Sequence, residues 1–481
     1  MYIRRHYLMS GIIVGVLFLL LGFLVWNSQL GTRAVFAQDG PSVQVEKHVL
    51  GQQEVGLLIT GKNLSNVGGF EFDLNLDVSV AQVKGASLGA FLARSGRTVG
   101  SLGPILDPNG ATIAFGGYSY DPSGDNRAGS SGDGALAYVT VTVKADGVTP
   151  LTLQNLIVAD VNATQQNVQV SNASLQVRTL HPGWNLIAPC VDTRGWKVPE
   201  VLASLTGDFE LVLGENGTYV VGLPDTFQTL QEVAPPWGYY IRVSSNHPVT
   251  LTQVAGAVDT STPIALSRGW RWIGYCGSSS EPISQALESI DGKYDLVIGE
   301  RGTYVVGLPD TFQTLQEMRL GEGYLIRMKE SGNLVYPSGV SNPRQSIPPA
   351  FITAKSDGRC KVSNTPYMTL VYGEIHIDGK PAPVGSLIEA VTPRGEVAGC
   401  FEVHTAGYFG LVQVYGADEE GGIPGFRDGE PIAWRVNGQE AEAIPQVTWQ
   451  DDKAVHEVVL EVKGVDKSGQ QQRLFVPWLS R

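Results

Sequence analysis

Histidine, cysteine and charged residues are all scarce in this chain of 481 residues, and each shortage narrows the range of functions. There are four cysteines and seven histidines, with no Cys-x-x-Cys pair, which argues against a structural zinc site. Charged residues make up only 17% of the chain, too few for long charged helices or a disordered protein. The chain also lacks zinc-protease, phosphate-loop and dinucleotide-binding motifs. We therefore expect no enzymatic activity.

Basic residues are outnumbered by acidic ones, which bears on the class of partner. The sequence has 34 Lys and Arg against 47 Asp and Glu, giving a formal net charge of −13. Such a surface repels phosphate backbones, so we expect no nucleic-acid partner. Neutral glycans, Ca²⁺ and protein partners all remain compatible with it.

A long hydrophobic run occurs only near the N-terminus. Arg4 and Arg5 precede an apolar stretch over residues 11–25, and small residues lead up to Ala37. This order is typical of a secretory signal, and the stretch is shorter than the roughly 20 residues of a membrane span. We predict a signal peptide at 1–37, with an uncleaved N-terminal anchor as the alternative. The rest of the chain is then secreted or held at the cell surface.

Glycine, proline and aromatic residues are plentiful, and they favour a mainly β, multi-domain protein. Short apolar or alternating runs, separated by turn residues, fill residues 42–178. The clearest alternation places Phe70, Phe72, Leu74 and Leu76 on one face of a strand. Strands at this spacing, almost without helical periodicity, predict a β-sandwich or jelly roll.

Two segments of this region resemble cohesin domains. Residues 66–74 (NVGGFEFDL) resemble the signature strand of that family, and residues 131–137 (SGDGALA) resemble its Gly-Asp-Gly-x-Leu-Ala strand. The resemblance implies a nine-stranded, non-catalytic jelly roll at 42–178, a fold shared with cellulose-binding modules. It also implies a dockerin-like protein as partner, or a polysaccharide.

The middle third contains an internal repeat. Residues 217–232 (GTYVVGLPDTFQTLQE) recur unchanged at 302–317, so we predict two copies of one β-rich unit, at 180–257 and 264–338. Their Gly-Trp and Gly-Tyr motifs resemble a repeat of bacterial surface proteins. The sequence leaves open whether the two copies form one domain or two.

The C-terminal region follows a Pro-rich linker at 339–350. Residues 351–463 contain a predicted hairpin near 372–385 and a Gly-Tyr-Phe strand at 407–411, and they resemble the prealbumin-like sandwiches of Cna-B and carboxypeptidase-regulatory domains. Residues 464–481 are polar and then apolar. This C-terminal tail is either a final strand or an envelope-sorting signal.

The four cysteines suggest two disulfides in an exported protein. Cys190 and Cys276 occupy matching positions of the two repeats, and Cys360 and Cys400 both lie in the C-terminal region. We predict the pairs Cys360–Cys400 and Cys190–Cys276. Spacing alone allows two other pairings.

The candidate ligand-binding residues are aromatic or acidic. Ca²⁺ is the one cofactor that the sequence suggests, because carboxylates cluster in a Gly/Ser-rich loop. Exposed aromatic rings could cover the C–H faces of sugars, although such rings more often fill cores. The predicted metal ligands are Asp121, Asp125 and Asp133, and the predicted glycan-binding rings are Tyr118, Tyr120, Trp237, Tyr239 and Tyr324.

Together these features predict a non-catalytic exported binding protein at the bacterial cell surface. It would bind a carbohydrate, or a protein in the manner of cohesins, with a link to polysaccharide breakdown. The alternative is a structural or adhesion protein of the cell envelope, whose sandwiches serve as spacers.

Overall fold

Most of the predicted domains are described by the structure, a computed structural model, and they confirm a mainly β, multi-domain chain. The described residues are 40–277, 279–307, 313, 315–337, 359–419 and 422–462. The predicted signal peptide, linker and C-terminal tail lie outside them. Within those ranges, no helix combines the length and the apolar character needed to cross a membrane.

The N-terminal sandwich is built around one long strand that takes part in both of its layers. Its strands are β1 (Ser42–Leu50), β2 (Glu54–Asn75), β3 (Ala81–Leu88), β4 (Thr98–Leu106), β5 (Thr112–Tyr120), β6 (Ser130–Val143), β7 (Gly147–Asp160), β8 (Gln169–Ser171) and β9 (Ala173–Leu180), with a 3-10 helix at Leu92–Ser95. The first half of β2 pairs with β1 and β6, and its second half pairs with β5 and β7. The apolar runs at residues 54–60 and 70–76, which the sequence suggests as two strands, are therefore one strand of 22 residues.

Alternation along β2 places its apolar side chains in the core, as predicted. Phe72 and Leu74 are almost fully buried, whereas Glu71 between the aromatic positions is exposed. Leu57 and Ile59 of the first half are also fully buried. Burial of such side chains contributes about 1.5–3 kcal/mol each, so this pattern fixes which face of the sheet is solvated.

The two repeats follow, and they have matching strand orders. The first contains β10 (Gly183–Ile187), β11 (Val191–Asp192), helix α1 (Val198–Val201), β12 (Phe209–Gly214), β13 (Gly217–Val220), β14 (Tyr239–Val243) and β15 (Val249–Ala257). The second contains β16 (Ile264–Leu266), β17 (Gly269–Tyr275), β18 (Glu281–Pro282), helix α2 (Ile283–Ala286), β19 (Tyr294–Gly299), β20 (Gly302–Val305), β21 (Glu317–Met318), β22 (Glu322–Met328) and β23 (Gly332–Leu334). Further 3-10 helices span Ala203–Leu205, Asp225–Phe227 and Glu288–Ile290.

The repeats are joined into one eight-stranded sheet. Ile187 of β10 pairs with Glu322 of β22, and a second bridge joins Trp237 to Ile273. The Cys190–Cys276 disulfide crosses the same junction, with a Cα–Cα distance of 5.3 Å, and confirms the predicted pair. The two copies therefore share backbone pairing and a covalent link.

Strand β9 belongs both to the N-terminal sandwich and to the first repeat. One of its edges pairs with β7, and the other pairs with β15 over Ser174 to Leu180. In the second repeat the corresponding outer strand, β23, pairs instead with the short β16. The sandwich thus supplies a strand that the first repeat lacks, and β9 crosses the boundary predicted at residue 178.

The C-terminal module contains a second eight-stranded sheet and the second predicted disulfide. Its strands are β24 (Met368–Ile377), β25 (Lys380–Pro381), β26 (Leu387–Val391), β27 (Val397–Glu402), β28 (Tyr408–Tyr415), β29 (Ala433–Val436), β30 (Gln439–Ile444) and β31 (Val455–Val462). Phe409, Trp434 and Trp449 are buried in its core. The Cys360–Cys400 disulfide is confirmed, with a Cα–Cα distance of 5.6 Å.

This module packs directly on the sheet of the repeats. Met368, Leu370 and Leu411 share a buried apolar cluster with Leu211 and Trp272. A polar contact accompanies the cluster. The Trp270 indole donates to Asp418 Oδ2 at 2.9 Å, and Arg327 Nη1 lies 3.1 Å from both carboxylate oxygens of Asp418.

Candidate binding surfaces

A four-stranded surface of the N-terminal sandwich faces solvent along β4, β5, the second half of β2, and β7. The register places Gly69 of β2 beside Tyr118 of β5, and Glu71 beside Ile157 of β7. Because residues directly opposite each other project to the same side of a sheet, their side chains lie on one surface. We call this surface the outer face.

The outer face carries exposed apolar side chains that the sandwich itself does not cover. The exposed fractions are 55% for Leu102, 69% for Ile105, 42% for Tyr118, 50% for Tyr120 and 37% for Ile157. Scattered apolar residues are normal on a surface, whereas a group on adjacent strands, such as the one on β4 and β5, marks a candidate interaction site. The outer face is therefore the strongest candidate binding surface of this module.

Tyr118 and Tyr120 lie side by side on this face, as their spacing predicts. Their ring centroids are 6.5 Å apart and the ring planes differ by 24°. The Tyr118 ring also covers Gly100 of β4, where a Cβ atom would come within 2.5 Å of the ring. Glycine at this position thus permits the ring to lie flat against the neighbouring strand.

An arginine fixes the backbone between the two tyrosines. Arg97 Nε donates to Ser119 Oγ at 3.2 Å, and its Nη2 donates to the Ser119 carbonyl oxygen at 3.1 Å. Arg97 Nη1 donates to the Arg127 carbonyl oxygen at 2.6 Å, which ties the following loop to the same strand. These bonds orient the edge of the outer face where the tyrosines lie.

The three predicted metal ligands are not brought together. Asp121 accepts hydrogen bonds from Ser123 and Arg127 within its own loop, whereas Asp133 accepts from the Asn63 amide on the neighbouring strand. Among the described residues no group of three or more His, Cys, Asp or Glu side chains is arranged to hold a metal. Calcium binding by Asp121, Asp125 and Asp133 stays a prediction, without support from this geometry.

The Asp121 loop should respond to acid in a defined direction. The Ser123 hydroxyl and the Arg127 amide hold the pKa of Asp121 down at about 2. A depressed pKa means that these bonds stabilise the loop above the ordinary carboxyl pKa and are lost as pH falls toward 2. In a carboxyl NMR titration we expect Ser123→Ala to raise the Asp121 midpoint. An unchanged midpoint would contradict this role of the hydroxyl.

The three aromatic residues predicted in the repeats do not form an exposed glycan platform. Tyr239 is 5% exposed and its hydroxyl bonds to the Ala234 backbone, while Tyr324 is fully buried and donates to Glu322. Burial raises the pKa of Tyr239 to about 12. Trp237 is half-buried between the cores of the two repeats. The prediction that Tyr239 and Tyr324 bind sugars is wrong, because their rings fill cores.

Sequence reasoning missed Leu102 and Ile105, the most exposed apolar residues of the outer face. Residues 98–106 were not predicted as a strand, because Gly100, Gly103 and Pro104 interrupt the alternation. In the structure they form the edge strand β4, which pairs with β5. The one sequence feature that could have indicated this strand is the apolar pair Leu-x-x-Ile between turn residues.

The comparisons with known proteins concern this same region. Residues 51–177 match the family model of the Cohesin domain, which confirms the predicted resemblance for the N-terminal sandwich. No curated protein matches the chain significantly.

Solved structures similar to this chain include several cohesins. A non-cellulosomal cohesin from Archaeoglobus fulgidus is 21% identical, with a TM-score of 0.22 over 28% of this chain and 87% of that one. A type I cohesin–dockerin complex from Clostridium thermocellum is 15% identical, with a TM-score of 0.24 over 29% and 93%. A type I cohesin from Pseudobacteroides cellulosolvens is 18% identical, with a TM-score of 0.23 over 28% and 91%.

Proposed function

We propose that this chain is a non-catalytic, exported binding protein whose outer face binds a dockerin-like partner. The observation that carries the proposal is the group of exposed apolar side chains on β4, β5 and β7, within a region that matches the Cohesin domain. Cohesin domains bind dockerin-bearing proteins. The repeats and the C-terminal module would then hold this binding domain at the bacterial cell surface.

The composition of the outer face fits a protein partner. Apolar residues occupy β4 and β5, and acidic residues of β2, Glu71 and Asp73, adjoin them in the same register. Protein interfaces combine an apolar centre with a polar rim, and a few aromatic or aliphatic anchors supply most of the affinity. We therefore expect a partner with an apolar strip bordered by basic side chains.

The direct experiment measures binding of the exported full chain to a panel of purified dockerin modules by biolayer interferometry. Changing Ile105→Lys places a charge among the exposed apolar side chains of β4 and β5, and we expect the affinity to fall about tenfold to a hundredfold. Val49→Lys is the matched control, because Val49 is 57% exposed and lies on β1, away from the outer face. Equal losses in both variants would refute the proposed face.

A polysaccharide ligand is the second candidate function, favoured by the near-parallel rings of Tyr118 and Tyr120. Such a pair can cover the apolar faces of two successive sugars. Retention of the chain on insoluble polysaccharides, abolished by Tyr118→Ala with Tyr120→Ala, would establish this function. Absence of both dockerin and polysaccharide binding would leave the structural or adhesion role.

A further inference from the structure

A second exposed surface lies on the C-terminal module, and its register is simple. Glu374 of β24 pairs with Tyr408 of β28 on one side and with Val459 of β31 on the other. Val459 in turn pairs with Ile444 of β30. Since paired residues project to the same side, these four side chains form one row across four strands. Ile444 is 53% exposed and Tyr408 is 39% exposed.

Acidic residues border this row on both sides. His376, Glu461 and Glu442 form the next row toward the end of β31, and Tyr372 and Glu457 form the row on the opposite side. His376 Nδ1 lies 3.3 Å from Glu461 Oε1, and its Nε2 lies 3.8 Å from Glu374 Oε2. We call the three rows together the C-terminal face.

The same strands are covered at their other ends. On β24, Met368 and Leu370 are fully buried against the sheet of the repeats, whereas Glu374 further along the strand is exposed. The outward positions of β24 thus change from apolar to acidic where the cover by the repeats ends. The neighbouring strands differ from β24 in this respect. Val459 is half-exposed and Ile444 is exposed, and both are apolar although the repeats do not cover them.

The segment of the chain that follows β31 has the complementary pattern. Residues 474–479 read LFVPWL, and Arg473 and Arg481 flank them, with Lys467 further upstream. An apolar run bordered by cations matches an apolar row bordered by carboxylates. The only acidic residue among 464–481 is Asp466.

We propose that residues 464–481 dock on the C-terminal face of the same chain, with the apolar run over Val459 and Ile444 and the arginines toward the bordering glutamates. The connection is long enough. Strand β31 ends at Val462, three residues beyond Val459, so the row begins roughly 10 Å away. The ten residues 463–472 span up to about 35 Å when extended. Because the segment is tethered, its effective concentration at the face is in the millimolar range.

The test introduces a photo-crosslinking benzoylphenylalanine at Phe475 of the exported full chain and maps the crosslinked peptides by mass spectrometry. We expect crosslinks within the same chain to peptides covering 439–462. Ile444→Lys with Glu442→Lys removes both the apolar and the anionic contacts, and we expect the yield to fall about fivefold to tenfold. Val49 lies on the N-terminal sandwich and is 57% exposed, close to the 53% of Ile444, so Val49→Lys should leave the yield unchanged.

Two further measurements keep the result decisive. An equal mixture of isotopically light and heavy chains separates crosslinks within a chain from those between chains, and predominantly mixed crosslinks would overturn docking in the same chain. Crosslinks spread over other modules would overturn the face itself. If circular dichroism shows that the double variant does not fold, Glu461→Gln replaces it. The proposal would also be overturned if the crosslinking yield were unchanged both in Glu461→Gln and in 1 M salt.

Discussion

Arg178→Ala should lower the free energy of unfolding by about 3–5 kcal/mol, because it leaves a buried carboxylate short of its partner. Arg178 is carried by β9, and its Nη2 lies 3.2 Å from Glu322 Oε1 of the second repeat. The Glu322 side chain is only 2% exposed. Arg301 also pairs with Glu322 but is itself 36% exposed, so it compensates only in part. Chemical denaturation followed by tryptophan fluorescence measures the loss.

The chain offers a matched control for this substitution. Arg242 pairs with Glu210 at 2.8 Å in the first repeat, but the two side chains are 46% and 47% exposed. Exposed pairs contribute about 0–1 kcal/mol, so Arg242→Ala should have little effect. A second control, Arg178→Met with Glu322→Gln, removes both charges and should recover much of the loss. If Arg178→Ala costs no more than Arg242→Ala, the contact between the sandwich and the second repeat is not stabilising.

The N-terminal fold was largely predictable because its signals are local. Alternation along residues 70–76 depends only on the two-residue period of a strand, and it correctly assigned Phe72 and Leu74 to the core. Both disulfides were predicted as well. Cys190 and Cys276 occupy equivalent positions in a repeated unit, and Cys360 and Cys400 both lie in the C-terminal region. These inferences needed no knowledge of how the modules are arranged.

The shared strand and the buried tyrosines were not predictable in the same way. Residues 173–180 read as the last strand of the sandwich, and nothing local shows that their free edge pairs with residues 249–255. The Gly-Tyr motifs of the repeats contain rings that suit either a glycan platform or a core, since a tyrosine hydroxyl can be satisfied by a backbone group. For Tyr239 that group is the Ala234 backbone. Only the packing of the repeats decides between the two.

The contacts between modules explain how the proposed binding face can be held in a fixed orientation. Gln176 of β9 is buried, and its amide donates to the Ala188 carbonyl oxygen at 2.8 Å while its oxygen accepts from the Cys190 amide. Lys47 lies over the Trp196 ring, 3.3 Å from its centroid, which ties β1 to the first repeat. The N-terminal sandwich is thus connected to the second repeat through β9 by strand pairing, by buried polar contacts and by a disulfide.

Removing the disulfide between the repeats should produce the second large effect. The bond closes a loop with a sequence separation of 86 residues, and Cys190 is 5% exposed. In the chain-entropy description, losing a link of this span costs about 4–5 kcal/mol, within the measured range of about 2–5 kcal/mol for native disulfides. We expect Cys190→Ala with Cys276→Ala to lower the unfolding midpoint accordingly, as measured by differential scanning calorimetry.

The other disulfide provides the comparison that gives this result its meaning. Cys360 and Cys400 are separated by 40 residues within the C-terminal module, and the same description assigns their link about 4 kcal/mol. Removing either disulfide should therefore lower the free energy of unfolding by a similar amount, but the two removals should destabilise different parts of the chain. Amide exchange should rise around Ile187 and Glu322, where the repeats pair, only when Cys190 and Cys276 are replaced. If exchange there is unchanged, the backbone pairing and the ion pairs of β22 hold the two repeats together without the covalent link.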